Sequence, residues 1–211
     1  MIGYLVLVTG LLPNSRWKVV ALRLLGWTIA PNVRLQPAIF WRLKRVTLAT
    51  NTRIGFGCVF RGLDSLTLAE SAGLGQWNWI SASPVFPAAG RYLELGRHSA
   101  VTSRHYIDCS GGVSIGEFTT VAGVRSTLIT HGIDVVTSQQ IANGISIGNY
   151  CLVGSNACFT PGASVKDRVQ IAMGALVHGE LASDRLYAGV PARALRLVSG
   201  VYFERETGHV D

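Results

Sequence analysis

Large apolar residues recur at every sixth position in the last third of the chain. The series is unbroken across Ile147, Val153, Phe159, Val165, Ile171 and Val177. A period of six matches neither an α-helix, which repeats near 3.6 residues, nor a simple strand, which repeats every two. It fits a chain wound as a triangular coil, with one inward side chain on each flat face. The pattern therefore predicts a parallel β-helix of about eighteen residues per coil.

The residues beside these inward positions suit the same geometry. The residue directly after an inward position is small in several faces: Gly148, Gly154 and Ala172, with His178 as a larger exception. The residue four places after is also small or moderately sized: Cys151, Ala157, Ala163, Val169 and Ala175. Such residues let the chain turn a corner without crowding the axis of the coil.

Looser repeats precede this region and divide the chain. The inward register begins at Leu48, Ile54 and Phe60, resumes at Leu68, Leu74 and Ile80, and continues through Leu95, Val101, Ile107, Ile115 and Val121. Two interruptions, 84–91 and 130–144, are predicted to be loops ejected from the coil, where sites are commonly built. We expect one domain: an N-terminal cap (1–47), the β-helix (48–182) and a C-terminal extension (183–211) containing an extended stretch and a short basic helix.

The N-terminal region is apolar and basic. The run Ile2 to Leu12 is too short to span a bilayer and lacks the flanks of a signal peptide. Asn14 or Ser15 can cap a helix from Arg16 to Leu25 that ends at Gly26. Its predicted apolar face comprises Trp17, Val20, Ala21, Leu24 and Leu25. We expect this helix to cover the open end of the coil, to dock on the cytoplasmic face of a membrane, or to do both.

The net charge and the spacing of the cysteines restrict the classes of function that the chain can have. The 211 residues carry a net charge of +7, and seven basic residues of the first quarter alternate with aromatic ones. This pattern suits an anionic membrane surface, a glycan or a solvated face, and we expect no nucleic-acid partner. The four cysteines lack the spacing of a zinc site, so we expect no metal. We expect reduced thiols, which favour a cytoplasmic location.

Three segments carry a family resemblance: Ile147-Gly-Asn-Tyr-Cys-Leu, Val153-Gly-Ser-Asn-Ala-Cys and Ala188-Gly-Val-Pro-Ala-Arg193. The chain resembles the hexapeptide-repeat acyltransferases, in particular sugar O-acetyltransferases of the colanic acid and maltose/galactoside acetyltransferase type. The close resemblance covers about Ile107 to Arg196. It implies a left-handed parallel β-helix, a homotrimer and acetyl-CoA as co-substrate.

The resemblance also implies a catalytic residue. In these sugar acetyltransferases, the general base is the His of a Thr-His or Gly-His pair, sixteen residues before the Ile-Gly of the final coils. Thr130-His131 stands sixteen residues before Ile147. Imidazole titrates near neutral pH and can take the proton of an attacking hydroxyl. We expect direct acetyl transfer to a sugar of a surface or exopolysaccharide glycan or its precursor.

Other residues are candidates for orienting the base or binding the acceptor. Asp134 could orient the ring of His131 or steer the substrate. The acceptor-binding Asn of galactoside acetyltransferases is absent, since Ala100 or Val101 stands there. His105, Arg104 or Asn78 could contact the sugar instead.

The residues implied to bind acetyl-CoA follow from the same resemblance. The backbone N–H of Ser155 would face the thioester carbonyl and stabilise an oxyanion. Met173, His178 and Gly179 occupy positions that grip the pantetheine and adenine, where the family more often has Ala, Thr and Lys. Arg193 and Arg196 would bind the phosphates.

Three alternatives stay open. Zinc carbonic anhydrases share this fold, but they need a His-x4-His pair, and the fifth residue after His131 is Val136. A non-catalytic β-helix that acts as a scaffold or binding module is a second alternative. Within the enzymes, the acceptor could be serine, an amino-sugar or an antibiotic.

Overall fold

The computed structural model describes residues 2–87 and 90–208. It begins with two helices, α1 (Ile2–Leu11) and α2 (Arg16–Leu24). Short strands follow to the end of the coil. They are β1 (Thr28–Ile29), β2 (Arg34–Leu35), β3 (Ile39–Trp41), β4 (Arg45–Leu48), β5 (Arg53–Ile54), β6 (Val59–Arg61), β7 (Ser65–Leu68), β8 (Gly73–Leu74), β9 (Trp79–Ser81), β10 (Tyr92–Leu95), β11 (Ala100–Val101), β12 (Tyr106–Asp108), β13 (Val113–Ile115), β14 (Thr120–Val121), β15 (Thr127–Leu128), β16 (His131–Asp134), β17 (Gln139–Ala142), β18 (Ile145–Ile147), β19 (Leu152–Val153), β20 (Cys158–Phe159), β21 (Ser164–Val165), β22 (Gln170–Ile171), β23 (Leu176–Val177), β24 (Glu180–Leu181), β25 (Arg185–Ala188) and β26 (Arg193–Leu197).

Three parallel sheets form the sides of a triangular coil. Sheet A has the order β1-β4-β7-β10-β13-β18-β21-β24, sheet B the order β2-β5-β8-β11-β14-β19-β22-β25-β26, and sheet C the order β23-β20-β15-β12-β9-β6-β3. Along the chain, strands join sheets A, B and C in turn. The protein is the parallel β-helix that the period of six predicted, with the left hand that the resemblance implied.

The inward residues stack in register and form the core. Along sheet A the paired residues are Ile29, Leu48, Leu68, Leu95, Ile115, Ile147, Val165 and Leu181. All of them are buried, as are the six residues that define the period. Burial of this continuous apolar column is the main favourable contribution to the stability of the coil.

The coil has three corners, which we number by the sheets that they join: corner 1 (A to B), corner 2 (B to C) and corner 3 (C to A). At corner 2 each turn after the first coil takes at least one residue into the left-handed region, as at Arg104 (φ 62) and Asn156 (φ 58). Corner 3 differs because the chain leaves the coil there twice, after β9 and after β15. The second excursion is an antiparallel hairpin of β16 and β17. The first, predicted at 84–91, lies partly outside the described residues.

The two helices cover the open end of the first coil. Helix α1 packs on β3 and on α2, which contacts β1. Ser15 caps α2 by accepting a hydrogen bond from the backbone N–H of Lys18. The side chain of Lys18 is fully buried, and its Nζ donates to the carbonyl oxygens of Gly10 (2.8 Å), Leu12 (2.9 Å) and Gln36 (3.0 Å).

The predicted inner face of α2 is therefore wrong. Trp17 and Leu24 are 82% and 84% exposed, whereas Lys18 and Leu22 are buried. The carbonyl groups at the end of α1 have no N–H donors within the helix, and the ammonium group of Lys18 donates hydrogen bonds to them instead. This places a cation inside and leaves apolar side chains in solvent.

The predicted boundaries of the coil also need correction. The β-helix begins at β1, a full coil before residue 48, and continues to β25. The segment after Ala188 forms β26 rather than a basic helix, because its backbone pairs with β25. A 3₁₀ turn (Val201–Phe203) follows, and Tyr202 donates from Oη to the carbonyl of Cys151 (3.2 Å). No helix in the described ranges is long and apolar enough to cross a bilayer.

Candidate functional site

The hairpin at corner 3 starts with His131, which contacts a carboxylate of the preceding coil. Its Nδ1 lies 2.8 Å from Oδ2 of Asp108. Asp108 is the last residue of β12, and β15 is the strand of sheet C in the next coil. The hairpin begins shortly after β15, so the stacking of the coils places Asp108 beneath its first residue. The imidazole is partly exposed (38%), whereas the carboxylate is nearly buried (3%).

A dense set of donors holds Asp108. Ser110 donates from Oγ to Oδ1 (2.6 Å), and Thr130 donates to Oδ2 from its backbone N–H (2.9 Å) and its Oγ1 (2.6 Å). Burial alone would raise the pKa of Asp108, but these bonds and the one from His131 outweigh it and hold the pKa below its ordinary value. Asp108 is thus an ionised acceptor at neutral pH.

This geometry fixes the proton on the imidazole ring. Because Oδ2 of Asp108 is an acceptor only, Nδ1 of His131 carries the hydrogen and donates it. Nε2 then has its lone pair available, and it has no hydrogen-bond partner within residues 2–87 and 90–208. The ring of Phe86, from the first excursion at corner 3, lies 5.8 Å from the ring of His131. The arrangement can accept a proton at Nε2.

The structure contradicts the prediction that Asp134 orients His131. Its Oδ1 accepts hydrogen bonds from the backbone N–H groups of Val136 (2.8 Å) and Thr137 (3.3 Å), at the tip of the hairpin. Its carboxylate has no bond to His131. Asp108 fills the orienting position instead.

His105 and Asn78 are also unsuited to acceptor binding, because both are 1% exposed. Nδ1 of His105 accepts from the backbone N–H of Ser126 (3.1 Å), and Nε2 lies 3.0 Å from Oγ1 of Thr102. Burial lowers the pKa of His105 to about 4, so the ring is neutral. The Asn78 amide bonds the backbone of Thr102 (2.7 Å) and of His105 (2.9 Å). Only Arg104 is exposed, and it lies at corner 2.

The residues expected to bind acetyl-CoA fall into two groups. Ser155 and Met173 lie at corner 2, where Gly189 to Ala192 pack on Leu176 and lead to the exposed residues Arg193 and Arg196. His178 and Gly179 follow β23 at corner 3, and Nδ1 of His178 lies 2.9 Å from Oγ1 of Thr160. Corners 2 and 3 are opposite edges of sheet C.

The backbone N–H of Ser155 is a free donor. In lower coils at the same corner, the backbone N–H of Gln76 donates to Ser103 Oγ (3.0 Å), and that of Val124 donates to Ser155 Oγ (3.2 Å). One coil above Ser155 stands Met173, whose side chain has no oxygen. Among the described residues, the Ser155 N–H has no acceptor. It is available to a ligand oxygen.

The chain is similar to known proteins in sequence and in fold. No protein-family profile matches the chain. The galactoside O-acetyltransferase of Escherichia coli strain K12 is 25% identical over 140 residues, which are 64% of this chain and 68% of that protein.

Solved structures share the fold at lower identity. A variant of AntD, an N-acyltransferase from Bacillus cereus in complex with dTDP-4-amino-4,6-dideoxyglucose and coenzyme A, matches with a TM-score of 0.56 and 12% identity, over 91% of this chain and 94% of that one. The polysialic acid O-acetyltransferase OatWY matches with a TM-score of 0.56 and 14% identity, over 82% and 90%. The polySia-specific acetyltransferase NeuO matches with a TM-score of 0.50 and 17% identity, over 81% and 80%.

Proposed function

We propose, starting from this resemblance to the hexapeptide-repeat acetyltransferases, that the chain moves an acetyl group from acetyl-CoA to a sugar hydroxyl. The similar proteins include O-acetyltransferases that act on a galactoside and on polysialic acid. We propose as acceptor a cell-surface or exopolysaccharide glycan or its precursor.

The observation that carries the proposal is the contact of 2.8 Å between Asp108 and His131. Nε2 of His131 takes the proton of the sugar hydroxyl as its oxygen attacks the thioester carbonyl. The C–S bond then breaks, and the imidazolium returns the proton to the thiolate of CoA. Asp108 stabilises the imidazolium that forms in between. No acyl-enzyme is needed.

The donor side is provided by the residues of corner 2. The free N–H of Ser155 can donate to the carbonyl oxygen of the thioester as negative charge develops there. Arg193 and Arg196 are exposed on β26, and among the described residues each guanidinium group donates only to a backbone carbonyl of a neighbouring residue (3.4 and 3.3 Å). They fit phosphate groups, which guanidinium groups bind in bidentate geometry.

The separation of the two corners favours a trimer. Ser155 and Thr160 flank sheet C, and an extended chain of that length spans about 16 Å. A base at corner 3 cannot reach a thioester held at corner 2 of the same chain. We propose that corner 3 of one protomer faces corner 2 of its neighbour in a homotrimer, which would bring His131, His178 and Ser155 to one cleft. Light scattering tests this, and a fully active monomer contradicts it.

The activity is tested with His131→Ala and a panel of nucleotide sugars, oligosaccharides and lipid-linked glycans. We expect the wild type to acetylate one acceptor and the variant to lose about two to four decades in kcat. Calorimetric binding of acetyl-CoA should be the same in both proteins. A wild type that does not bind acetyl-CoA would contradict the proposal and favour the scaffold alternative.

We further propose that the helical cap contacts the cytoplasmic face of a membrane. Tyr4 and Val8 of α1 and Trp17 and Leu24 of α2 are exposed, and Arg16 lies beside them. Apolar side chains next to basic ones suit an anionic lipid surface. We expect salt-sensitive co-sedimentation with anionic liposomes that Trp17→Glu abolishes. Val201→Glu, a matched control at the other end of the chain, should leave it unchanged.

A further inference from the structure

Below the candidate active site, corner 3 contains a cavity with a strongly basic lining. Its volume is about 410 Å³. Four of its nine lining residues are cations, and we call it the basic pocket. The lining is Arg42, Leu43, Lys44, Arg61, Gly62, Leu63, Ala82, Pro84 and Arg91.

The charges of the basic pocket are only partly compensated. The nearby carboxylate is that of Asp64, which pairs with Lys44 (3.0 Å) and with Arg45 (2.5 Å). In the part of the chain that the structure describes, Arg42, Arg61 and Arg91 have no carboxylate partner. Three guanidinium groups therefore face one cavity without an anion.

One of these groups also has an unsatisfied donor. Nε of Arg91 is buried and has no hydrogen-bond acceptor among the described residues. An unpaired buried N–H of a charged group is costly, and native structures normally provide it with a partner. Arg91 also lines the basic pocket, so the unsatisfied donor belongs to one of its four cations.

The basic pocket lies on the same edge of the coil as the catalytic pair. Arg61, Ser81 and Asp108 are paired in register on adjacent strands of sheet C. Strands stack about 4.8 Å apart, so the backbone of Arg61 lies about 10 Å below that of Asp108. A single hexose ring with an attached diphosphate bridges such a span.

The first excursion at corner 3 links the two sites. Pro84 lines the basic pocket, and Phe86 of the same segment packs beside His131. The backbone N–H of Ser83 donates to Oγ of Ser110 (2.9 Å), which in turn donates to Asp108. The segment therefore contacts both the basic pocket and the base.

We infer that the basic pocket binds the diphosphate of an activated acceptor while the sugar hydroxyl reaches His131. Guanidinium groups bind phosphate oxygens through paired N–H donors, and three of them more than compensate the two negative charges of a diphosphate that is esterified at both ends. The inference rests on the proposed acetyl transfer for the role of the sugar. The diphosphate itself is recognised by residues outside the proposed acetyl-CoA site, so the two can be tested separately.

The first test is calorimetric binding of inorganic pyrophosphate to the full chain. We expect Arg61→Gln and Arg42→Gln each to weaken binding about tenfold, the loss of one charged hydrogen-bonding partner. Arg53→Gln removes the same charge from an exposed position on β5 in sheet B, and it should leave binding unchanged. Absence of binding by the wild type, or equal weakening in all three variants, overturns the inference. Thermal denaturation confirms that each variant is folded.

The second test identifies the carrier of the diphosphate. UDP and micellar farnesyl diphosphate are compared as competitors of pyrophosphate, since the diphosphate of a nucleotide sugar and that of a lipid-linked sugar share one chemistry. The stronger competitor shows which kind of molecule carries the diphosphate. If neither compound competes with pyrophosphate, the inference is overturned. Acetyl-CoA binding is measured on the same preparation. Its failure would reject the proposed transfer without affecting the pyrophosphate result.

Discussion

Replacing Asp108 with Asn should disable the base while leaving the coil in place. The carboxylate receives donors on both oxygens: Ser110 on Oδ1, and Thr130 and His131 on Oδ2. An amide has one oxygen, so its NH₂ group must face a donor on one side. Where it faces His131, the imidazole turns to the tautomer with hydrogen on Nε2, which cannot accept a proton.

The expected loss follows from the interactions removed. A hydrogen bond to a charged group contributes about 1.5 to 3 kcal/mol, and the imidazolium formed during transfer also loses its counter-charge. A total of about 3 to 4 kcal/mol corresponds to two to three decades in kcat. The KM for acetyl-CoA should not change, because the carboxylate of Asp108 is nearly buried and its partners are Ser110, Thr130 and His131, none of which is proposed to bind acetyl-CoA.

Steady-state kinetics of Asp108→Asn and Asp134→Asn test this reasoning. Asp134 lies in the same hairpin, is exposed and has no bond to His131, so its substitution is a matched control that should retain kcat within about threefold. If Asp108→Asn keeps full kcat, or if both variants lose kcat equally, Asp108 does not position the base. A parallel thermal melt separates lost positioning from unfolding.

Three further predictions concern stability. His105 is neutral in the folded chain, with its pKa at about 4, and it binds a proton in the unfolded chain below its ordinary value of 6.5. Stability should therefore fall by up to about 3 kcal/mol as the pH drops from 6.5 to 4, and urea unfolding of His105→Gln should show a shallower fall. Lys18→Met should cost about 2 to 4 kcal/mol by urea unfolding, because three buried carbonyl groups lose their donor; an unchanged midpoint would contradict this. Phe159→Ala should cost about 3 to 5 kcal/mol through the cavity it leaves, whereas Phe56→Ala, at a half-exposed position, should cost far less by the same assay.

The period of six was sufficient to predict the coil but not its beginning. In the first coil, the inward residues Leu35 and Phe40 are five positions apart, which breaks the period. The preceding basic and aromatic residues further obscure it. Helix α1 was missed because its apolar run has no helical periodicity. Backbone pairing of β26 with β25 overrode the helix expected there.

The site was only partly predictable, because its two central residues are 23 positions apart and meet through coil stacking. His131 followed from the family resemblance, in which the catalytic His stands sixteen residues before the Ile-Gly of the final coils. Superimposing the coils would have shown Asp108. It occupies the position directly after the inward residue Ile107, and the next coil has Ile129 at the same position, directly after Leu128. The same superposition places His105 four positions after an inward residue, in the column of small buried side chains. That signal already favoured burial over ligand binding.

The concentration of both excursions at corner 3 has an evolutionary consequence. Residues added within a face would shift the side chains that follow them out of their columns. Additions at corner 3 leave the stack above and below unchanged, because the chain returns to the same register at β10 and β18. Segments exchanged at this edge can therefore alter which molecule is modified while the scaffold keeps its packing. The architecture separates the part that can diversify from the part that must stay constant.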